Sequence, residues 1–198
     1  MIDKTLIVIL DNGNVNPILR RWAENKPHSV LASGLCSFSD ASSIACRRNE
    51  IVERFLAMPE NDWLIMVDGD HVPLLETDEI LTCTDAVAGC RYPSRVGVES
   101  HPDDGEVGMG MVRISRQVLK TIESPWFGMT TNESGSKITQ CECSWFCAKA
   151  RAAGFYPVKV GQIGHLLRVV ARLADNSDQV KIQFPSLWQG QNAETMVF

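Results

Sequence analysis

Two acidic residues separated by one glycine follow directly on an apolar run, in the segment WLIMVDGD at residues 63–70. The apolar part has the length of a buried strand, and its polar stop marks the C-terminal end, where open α/β sheets bind ligands. Carboxylates at alternate positions of an extended chain point to the same side, so Asp68 and Asp70 can together hold a hard divalent cation. The same residues are typical of an ordinary turn, so the motif alone leaves both a metal site and a solvated turn open.

Apolar runs and capping residues predict the elements that would position these carboxylates. Strands are expected at 4–10, 28–32, 63–67, 85–92, 107–114 and 156–160, and helices at 17–25, 40–57, 73–81, 115–123 and 141–153. Strands alternate with helices over roughly the first ninety residues, which predicts an α/β/α sandwich with a mostly parallel central sheet. Residues 128–137 have the composition of a loop, and 166–198 begin with a helical pattern that is then lost.

The composition excludes few functions. A chain of 198 residues fits one domain, or a domain with a tail, and its net charge of −5 argues against a cationic surface for nonspecific nucleic-acid binding. No apolar run is long enough to cross a bilayer, and the N-terminal segment lacks the pattern of a signal peptide. We therefore expect a cytoplasmic protein with no membrane span.

The chain has seven cysteines, an odd number, and reduced thiols suit the cytoplasmic location expected for it. Three of them, Cys141, Cys143 and Cys147, form a C-x-C-x3-C cluster. A structural zinc site usually has four ligands, and the sequence shows no second half-site with C-x2-C or H-x3-H spacing. The pattern therefore favours buried helix cysteines over a zinc site.

Four segments in order resemble motifs of GT-A glycosyltransferases, close to the small family-2-like proteins that phages often encode. They are ACRRNEIV at 45–52, DGD at 68–70, VGMGMV at 107–112, and ECSWFC at 142–147 followed by AGF at 153–155. A Gly-His pair then follows at 164–165, where the family often places a metal-binding histidine. The resemblance implies a Rossmann-related GT-A-like catalytic domain over 1–168, with residues 169–198 as a tail that could form a lid or an oligomerisation arm.

The resemblance implies a metal-dependent enzyme that moves a sugar from a nucleotide-sugar donor, a UDP-sugar being favoured, to an acceptor hydroxyl. Asp70 and His165 would bind Mn²⁺, or Mg²⁺, and the cation would stabilise charge on the departing diphosphate. Asp68 would bind the metal as well, or contact the ribose or a metal-bound water. The alternative for His165 is a hydrogen-bonded loop histidine.

Glu142 is the candidate catalytic base, because an inverting transfer needs a carboxylate to accept the proton of the attacking hydroxyl. An acidic residue at a helix N-terminus is also explained by the helix dipole alone. The sequence departs from the family pattern at Cys143, where an Asp is usual, and a retaining mechanism would not need this base.

The donor would contact residues at the same sheet edge and in the matched motifs. We expect these contacts from Asp11, Asn12, Arg48, Asn49, Asp68, Gly69, Arg91, Gly108 and Gly110. Arg48 could equally be a solvated helix arginine, and Asp11 and Asn12 could form a simple turn.

The acceptor is not defined by the sequence. A hydroxymethylated DNA base, with the enzyme in the host cytoplasm if the chain is phage-encoded, would need a local basic groove. Candidate groove residues are Arg91, Arg95, Arg113, Arg116 and Lys120. Trp126 and Phe127 could stack on an acceptor ring, although such a pair is more often part of the core.

Two other functional classes fit the same residues. A nucleotidyltransferase acting on a sugar phosphate also uses carboxylates and a divalent metal at a sheet edge, but the loop at 11–14 (DNGN) contains no basic residue. A noncatalytic nucleotide-sugar-binding module would keep the fold without the chemistry, and the cysteine at position 143 favours it.

Overall fold

A computed structural model describes residues 4–10, 15–26, 29–32, 44–93, 101, 105–172 and 178–183. Three of the residues proposed above, Asp11, Asn12 and Arg95, lie outside these ranges. So do residues 173–177 and 184–198 of the proposed tail.

Within the described ranges, ten strands and five helices follow one another in an order close to the predicted one. The strands are β1 (Thr5–Leu10), β2 (Ser29–Ala32), β3 (Trp63–Asp68), β4 (His71–Pro73), β5 (Val87–Arg91), β6 (Met111–Ser115), β7 (Thr130–Thr131), β8 (Ile138–Gln140), β9 (Val158–Arg172) and β10 (Asp178–Gln183). The helices are α1 (Pro17–Glu24), α2 (Ile44–Leu56), α3 (Glu79–Thr82), α4 (Arg116–Thr121) and α5 (Glu142–Ala152), and a short 3-10 helix (Leu75–Asp78) leads into α3.

The central sheet has eight strands in the order β10-β9-β5-β6-β3-β1-β2, with β4 attached to β9. Parallel pairs join β1 to β2, β1 to β3 and β5 to β9. Antiparallel pairs join β3 to β6, β5 to β6, β4 to β9 and β9 to β10. The sheet is therefore mixed, and the prediction of a mostly parallel sheet is wrong. The reason is that β6 enters between β3 and β5 in the opposite direction.

Helices cover both faces of this sheet, as the sandwich prediction required. Side chains alternate along β1, so that Leu6 and Val8 face one apolar core while Ile7 and Ile9 face the other. Residues of α2, α4 and α5 complete the first core, and residues of α1 and α3 complete the second. Strand β3 lies between them with its four residues 64–67 fully buried, which accounts for its unbroken apolar run.

The second half of the chain differs from the sequence prediction at three points. Strand β4 follows the acidic turn directly, where only a helix was expected. Residues 107–110 precede β6 rather than forming part of it. The helical pattern expected from residue 166 is instead β9 continuing to Arg172 and then pairing with β10, so β9 crosses the boundary proposed at residue 168.

Within the described residues, no helix is both long enough and apolar enough to span a membrane.

The side chain of Arg116 closes the C-terminal end of α2. Its Nε donates to the carbonyl of Asn61 at 2.6 Å, and its Nη1 and Nη2 donate to the carbonyls of Leu56 and Phe55 at 3.2 and 2.8 Å. The guanidinium also lies 4.2 Å from the centre of the Phe55 ring. One cation thus satisfies carbonyls that a helix end leaves unpaired.

We expect Arg116→Ala to lower the free energy of unfolding by about 2–4 kcal/mol, because several charge-assisted hydrogen bonds to backbone carbonyls are lost together. Urea denaturation measures the change. Lys120→Ala, on the exposed side of the same helix, is the matched control and should change stability by less than about 0.5 kcal/mol. Equal effects of the two substitutions would contradict this role of Arg116.

Candidate metal and donor site

The turn after β3 is fixed by backbone hydrogen bonds to its neighbours. Asp68 N–H donates to the carbonyl of Gly110 at 2.9 Å, and Gly69 N–H donates to the carbonyl of Leu10 at 2.8 Å. The Gly69 carbonyl in turn accepts from the N–H of Asn16 at 3.0 Å. Gly69 is buried, so its backbone holds the turn in place at the expected edge of the sheet. Contact of Gly69 with a donor stays a prediction.

Asp70 lies between two histidines. Its Oδ2 is 3.1 Å from Nε2 of His165, and its Oδ1 is 3.1 Å from Nδ1 of His71. The two imidazoles stack with their centres 4.8 Å apart and an angle of 13° between the rings, and Tyr92 packs edge-on against His71 at 4.9 Å. Because β4 and β9 pair with His71 opposite His165, strand register brings together residues that lie 94 to 95 positions apart in the chain.

The hydrogen bonding of His165 fixes the orientation of its imidazole ring. Its Nδ1 lies 3.1 Å from the carbonyl oxygen of Pro93. A carbonyl can only accept, so Nδ1 carries a proton and the ring orientation is fixed. A metal-binding histidine commonly donates its other ring N–H to a carbonyl in this way. Nε2 of His165 faces the Asp70 carboxylate, so a cation bound by both residues would replace the hydrogen bond between them. Asp70 and His165 therefore fit the ligand pair expected from the sequence.

The charge of Asp70 is stabilised by these contacts. Partial burial acts against ionisation, but hydrogen bonds from His165 and His71 and the charges of the two rings outweigh it. The pKa of Asp70 consequently lies well below its ordinary value. Asp70 is thus ionised under ordinary conditions.

Asp68 is engaged by a buried arginine. Its Oδ1 accepts a hydrogen bond from Nη2 of Arg48 at 2.9 Å, and the Arg48 side chain is only 1% exposed. The ligand atoms of Asp68, Asp70 and His165 do not all lie within 4.8 Å of one another. One other group among the described residues meets this distance criterion and is described below. A direct metal contact of Asp68 stays a prediction, and its observed partner is Arg48.

Arg48 connects the acidic turn to the start of α5. Burial acts to lower the pKa of Arg48, but nearby Asp68, Cys143 and Glu142 outweigh burial and raise it above its ordinary value. Nε and Nη1 of Arg48 are buried and have no hydrogen-bond partner among the described residues. The alternative of a solvated helix arginine is therefore wrong, because the guanidinium lies inside the molecule with two donors unused.

Glu142, the candidate base, is the first residue of α5 and is half-buried. It is close enough to Arg48 to contribute to the arginine's electrostatic environment, together with Cys143. The structure therefore places Glu142 on the same side of the sheet as the Asp68–Arg48 pair. Its action as a base is untested.

Other predicted donor contacts have observed structural partners. The Asn49 amide donates to the Phe127 carbonyl at 2.8 Å and accepts from the Phe127 N–H at 2.9 Å, so it fixes that segment. A Cβ at Gly108 would lie 2.4 Å from the Tyr92 hydroxyl. A Cβ at Gly110 would lie 2.5 Å from Nε2 of His71. These glycines admit the aromatic side chains, and their donor contacts stay predictions.

Two of the basic residues proposed to line a groove are engaged within the fold. Arg113 is 1% exposed with its guanidinium 3.6 Å from the centre of the Trp63 ring, and Arg116 binds the end of α2. Arg91 is exposed at the end of β5, as predicted. Trp126 and Phe127 are buried in the first core, which confirms the core alternative for that pair.

A second cluster of ligand atoms lies at the N-terminus of α5. The ligand atoms of His101, Cys141 and Cys143 all lie within 4.8 Å of one another. Hydrogen bonding to Cys143, His101 and Ser144 overcomes burial and lowers the pKa of the Cys141 thiol to about 3. The same contact with Cys141, together with burial, raises the pKa of Cys143 far above its ordinary value. The two shifts are opposite because the contact between the sulfurs favours the thiolate at Cys141 and the thiol at Cys143.

Sequence reasoning missed three residues of these clusters. His71 follows the acidic turn directly, and its adjacency to Asp70 was the available signal. Tyr92 and His101 carry no local signal, because the packing of separate elements brings each into place.

No protein family model matches this sequence, and no curated protein sequence matches it either. The fold is similar to that of A197 from STIV, with a TM-score of 0.59 and 20% identity over 98% of this chain and 97% of that chain. A glycosyltransferase involved in the glycosylation of the major capsid of PBCV-1 gives a TM-score of 0.40 and 12% identity, over 62% of this chain and 68% of that one. The similarity to A197 shows a shared fold, and no role is inferred from the similarity to the second structure.

We expect Asp68→Ala to lower the free energy of unfolding by about 3 kcal/mol, because it leaves the buried Arg48 charge without its partner. Adding Arg48→Met should restore part of that loss, which a double-mutant cycle by urea denaturation measures. Glu50→Ala breaks an exposed ion pair with Arg54 on the same helix and should cost less than about 1 kcal/mol. Equal losses in the Asp68 and Glu50 variants would show that burial of Arg48 carries no extra cost.

Proposed function

We propose that this chain is a metal-dependent glycosyltransferase that moves a sugar from a nucleotide-sugar donor to an acceptor hydroxyl. The observation that carries the proposal is the Asp70–His165 pair, with a carboxylate oxygen and an imidazole nitrogen 3.1 Å apart. The four motifs that resemble GT-A glycosyltransferases supply the type of reaction, and the pair supplies a fitting metal site.

The spacing of the pair suits a hard six-coordinate ion. Adjacent ligands of an octahedral ion with bonds of about 2.1 Å lie about 3 Å apart. Two protein ligands leave the remaining positions for water and for donor phosphate oxygens, which is the usual arrangement for such ions at phosphate sites. The mixed oxygen and imidazole set favours Mn²⁺ over Mg²⁺. A bound cation of this kind supplies Lewis acidity for the charge that develops on the diphosphate leaving group.

The residues of the chain would then divide the remaining work. Asp70 and His165 hold the cation, and the buried Arg48–Asp68 pair keeps the turn and the start of α5 in fixed positions. Glu142 would accept the proton of the attacking hydroxyl if the transfer inverts. Arg91, exposed at the same end of β5, would contact the donor or the acceptor.

A DNA acceptor has less support than a sugar hydroxyl among the described residues. Arg113 and Arg116 are engaged within the fold, so two of the five cations proposed for a basic groove cannot line it. The net charge of −5 acts in the same direction.

Removal of Asp70 tests the catalytic proposal. Asp70→Ala should lower Mn²⁺-dependent hydrolysis or transfer of a UDP-sugar by about 100-fold or more, because charge on the leaving group is no longer stabilised. Release of UDP measures the rate, and thermal unfolding checks that the variant folds. Asp85→Ala changes an exposed carboxylate elsewhere and should keep full activity. Full activity of the Asp70 variant, or of the native chain in excess chelator, would exclude the metal role.

Binding of the donor is tested separately from turnover. A thermal-shift screen of nucleotide sugars should show stabilisation that needs Mn²⁺, and a ligand at a hundred times its dissociation constant adds about 2.7 kcal/mol. Stabilisation without turnover would favour the noncatalytic binding module. Release of pyrophosphate from a nucleoside triphosphate and a sugar phosphate would favour the nucleotidyltransferase instead.

A further inference from the structure

A set of soft ligand atoms lies at the start of α5, where the sequence alone showed only a cysteine cluster. Nε2 of His101 is 3.9 Å from Sγ of Cys141, and Sγ of Cys143 completes a group whose members all lie within 4.8 Å of one another. Cys143 is 7% exposed, and the other two residues are partly buried. Three ligand atoms therefore converge at a partly shielded point.

His101 is oriented by a carboxylate behind it. Its Nδ1 lies 3.3 Å from Oε2 of Glu106, and that same oxygen accepts a hydrogen bond from the Ser144 hydroxyl at 3.0 Å. The other Glu106 oxygen lies 3.7 Å from Nη2 of Arg151. A carboxylate that accepts from one ring nitrogen leaves the other free to bind a metal, and this arrangement recurs in zinc sites.

The backbone also holds His101 in an unusual conformation. Its φ is +54°, in the left-handed region that residues other than glycine seldom adopt. Such conformations cluster at ligand-binding and catalytic sites. Cys141 is fixed as well, because it caps α5 and its sulfur accepts from the N–H of Ser144 at 3.5 Å.

We propose that His101, Cys141 and Cys143 form a binding site for a soft divalent cation, Zn²⁺, that is separate from the Asp70–His165 pair. Tetrahedral zinc with ordinary bond lengths places sulfur about 3.6 Å from nitrogen and about 3.8 Å from a second sulfur. The observed distances between the ligand atoms, which are 4.8 Å at most, would need to shorten by a few tenths of an ångström to about 1 Å to reach these values. Two thiol ligands exclude a preference for Mg²⁺ or Ca²⁺.

The site has three protein ligands among the described residues, so its fourth position would be open to water or another ligand. Both cysteines would bind the cation as thiolates, so binding releases to solvent the proton that Cys143 still carries. Glu142 lies between the two cysteine ligands in the chain, so the cation would fix the first turn of α5 around that residue. The zinc proposal is independent of the glycosyltransferase proposal.

Cobalt titration tests the site with the metal itself as the probe. The reduced, metal-free chain carrying Asp70→Ala should bind one Co²⁺ with a thiolate-to-cobalt charge-transfer band, and Zn²⁺ should displace it. Cys141→Ser, Cys143→Ser and His101→Ala should each weaken binding by about 100-fold or more, since each removes a ligand. Cys83→Ser, at a thiol that donates to Asp85 elsewhere, is the matched control and should bind normally.

Glu106→Gln should keep the charge-transfer band but weaken binding by about 10-fold to 100-fold, as expected for a positioning residue. Alkylation followed by peptide mapping provides a test on the native chain, in which Zn²⁺ should protect Cys141 and Cys143 but not Cys83. Absence of the thiolate band would overturn the proposal. So would equal protection of all three thiols, or binding unchanged by the two cysteine substitutions.

Discussion

The candidate active site depends on the antiparallel pairing of β4 with β9. Strand β9 first pairs in parallel with β5 and then crosses to β4, with a shift of register between Gly89 and Arg91 on the β5 side. Gly161 makes this crossing feasible, because its φ is +55° and a Cβ there would lie 2.1 Å from the Glu76 carbonyl oxygen. Asp70 and His165 belong to separate elements, and this pairing is what brings their side chains close enough for a common ligand.

The buried Arg48 is the second constraint. A guanidinium removed from water is costly unless its donors and charge are matched, and here Asp68 matches only part of them. Besides Asp68, the ionisable groups that act on this guanidinium are Cys143, Glu142 and Tyr92. Its Nε and Nη1 donors have no partner among the described residues. A partly satisfied buried cation next to two proposed ligand or catalytic positions is a feature of functional sites, since a core built for stability alone would avoid it.

Much of the fold could be predicted from local sequence patterns. The apolar run of β3 and the capped helices α4 and α5 appear close to their expected positions, because buried strands and helix caps have local signals. The direction of β6 could not be predicted, since strand order is set by packing between distant segments. The strands after residue 166 were missed because an apolar pattern there fits either a helix or a buried strand.

The candidate site, like the fold, could be predicted where local motifs mark it and not where distant segments form it. Asp68, Asp70 and His165 were found from the motifs, and the structure brings Asp70 and His165 together. The sequence also assigned Asn49 to donor binding, whereas both ends of its amide are taken by Phe127. His101 was missed because it lies 40 residues before Cys141, and zinc spacing rules search for ligands in short local pairs. Only the folded chain shows which distant imidazole completes a cysteine cluster.

The two proposed metal sites would differ in the type of ligand atom that they offer. A carboxylate oxygen with one imidazole favours a hard or borderline ion that retains several positions for phosphate and water, whereas two sulfurs with one imidazole favour zinc. Arg48 donates a hydrogen bond to Asp68 of the acidic turn and is close enough to Cys143 to interact with it electrostatically. A cation at the thiols would convert Cys143 to a thiolate beside Arg48, and would thus change the charge environment of the arginine that holds the acidic turn.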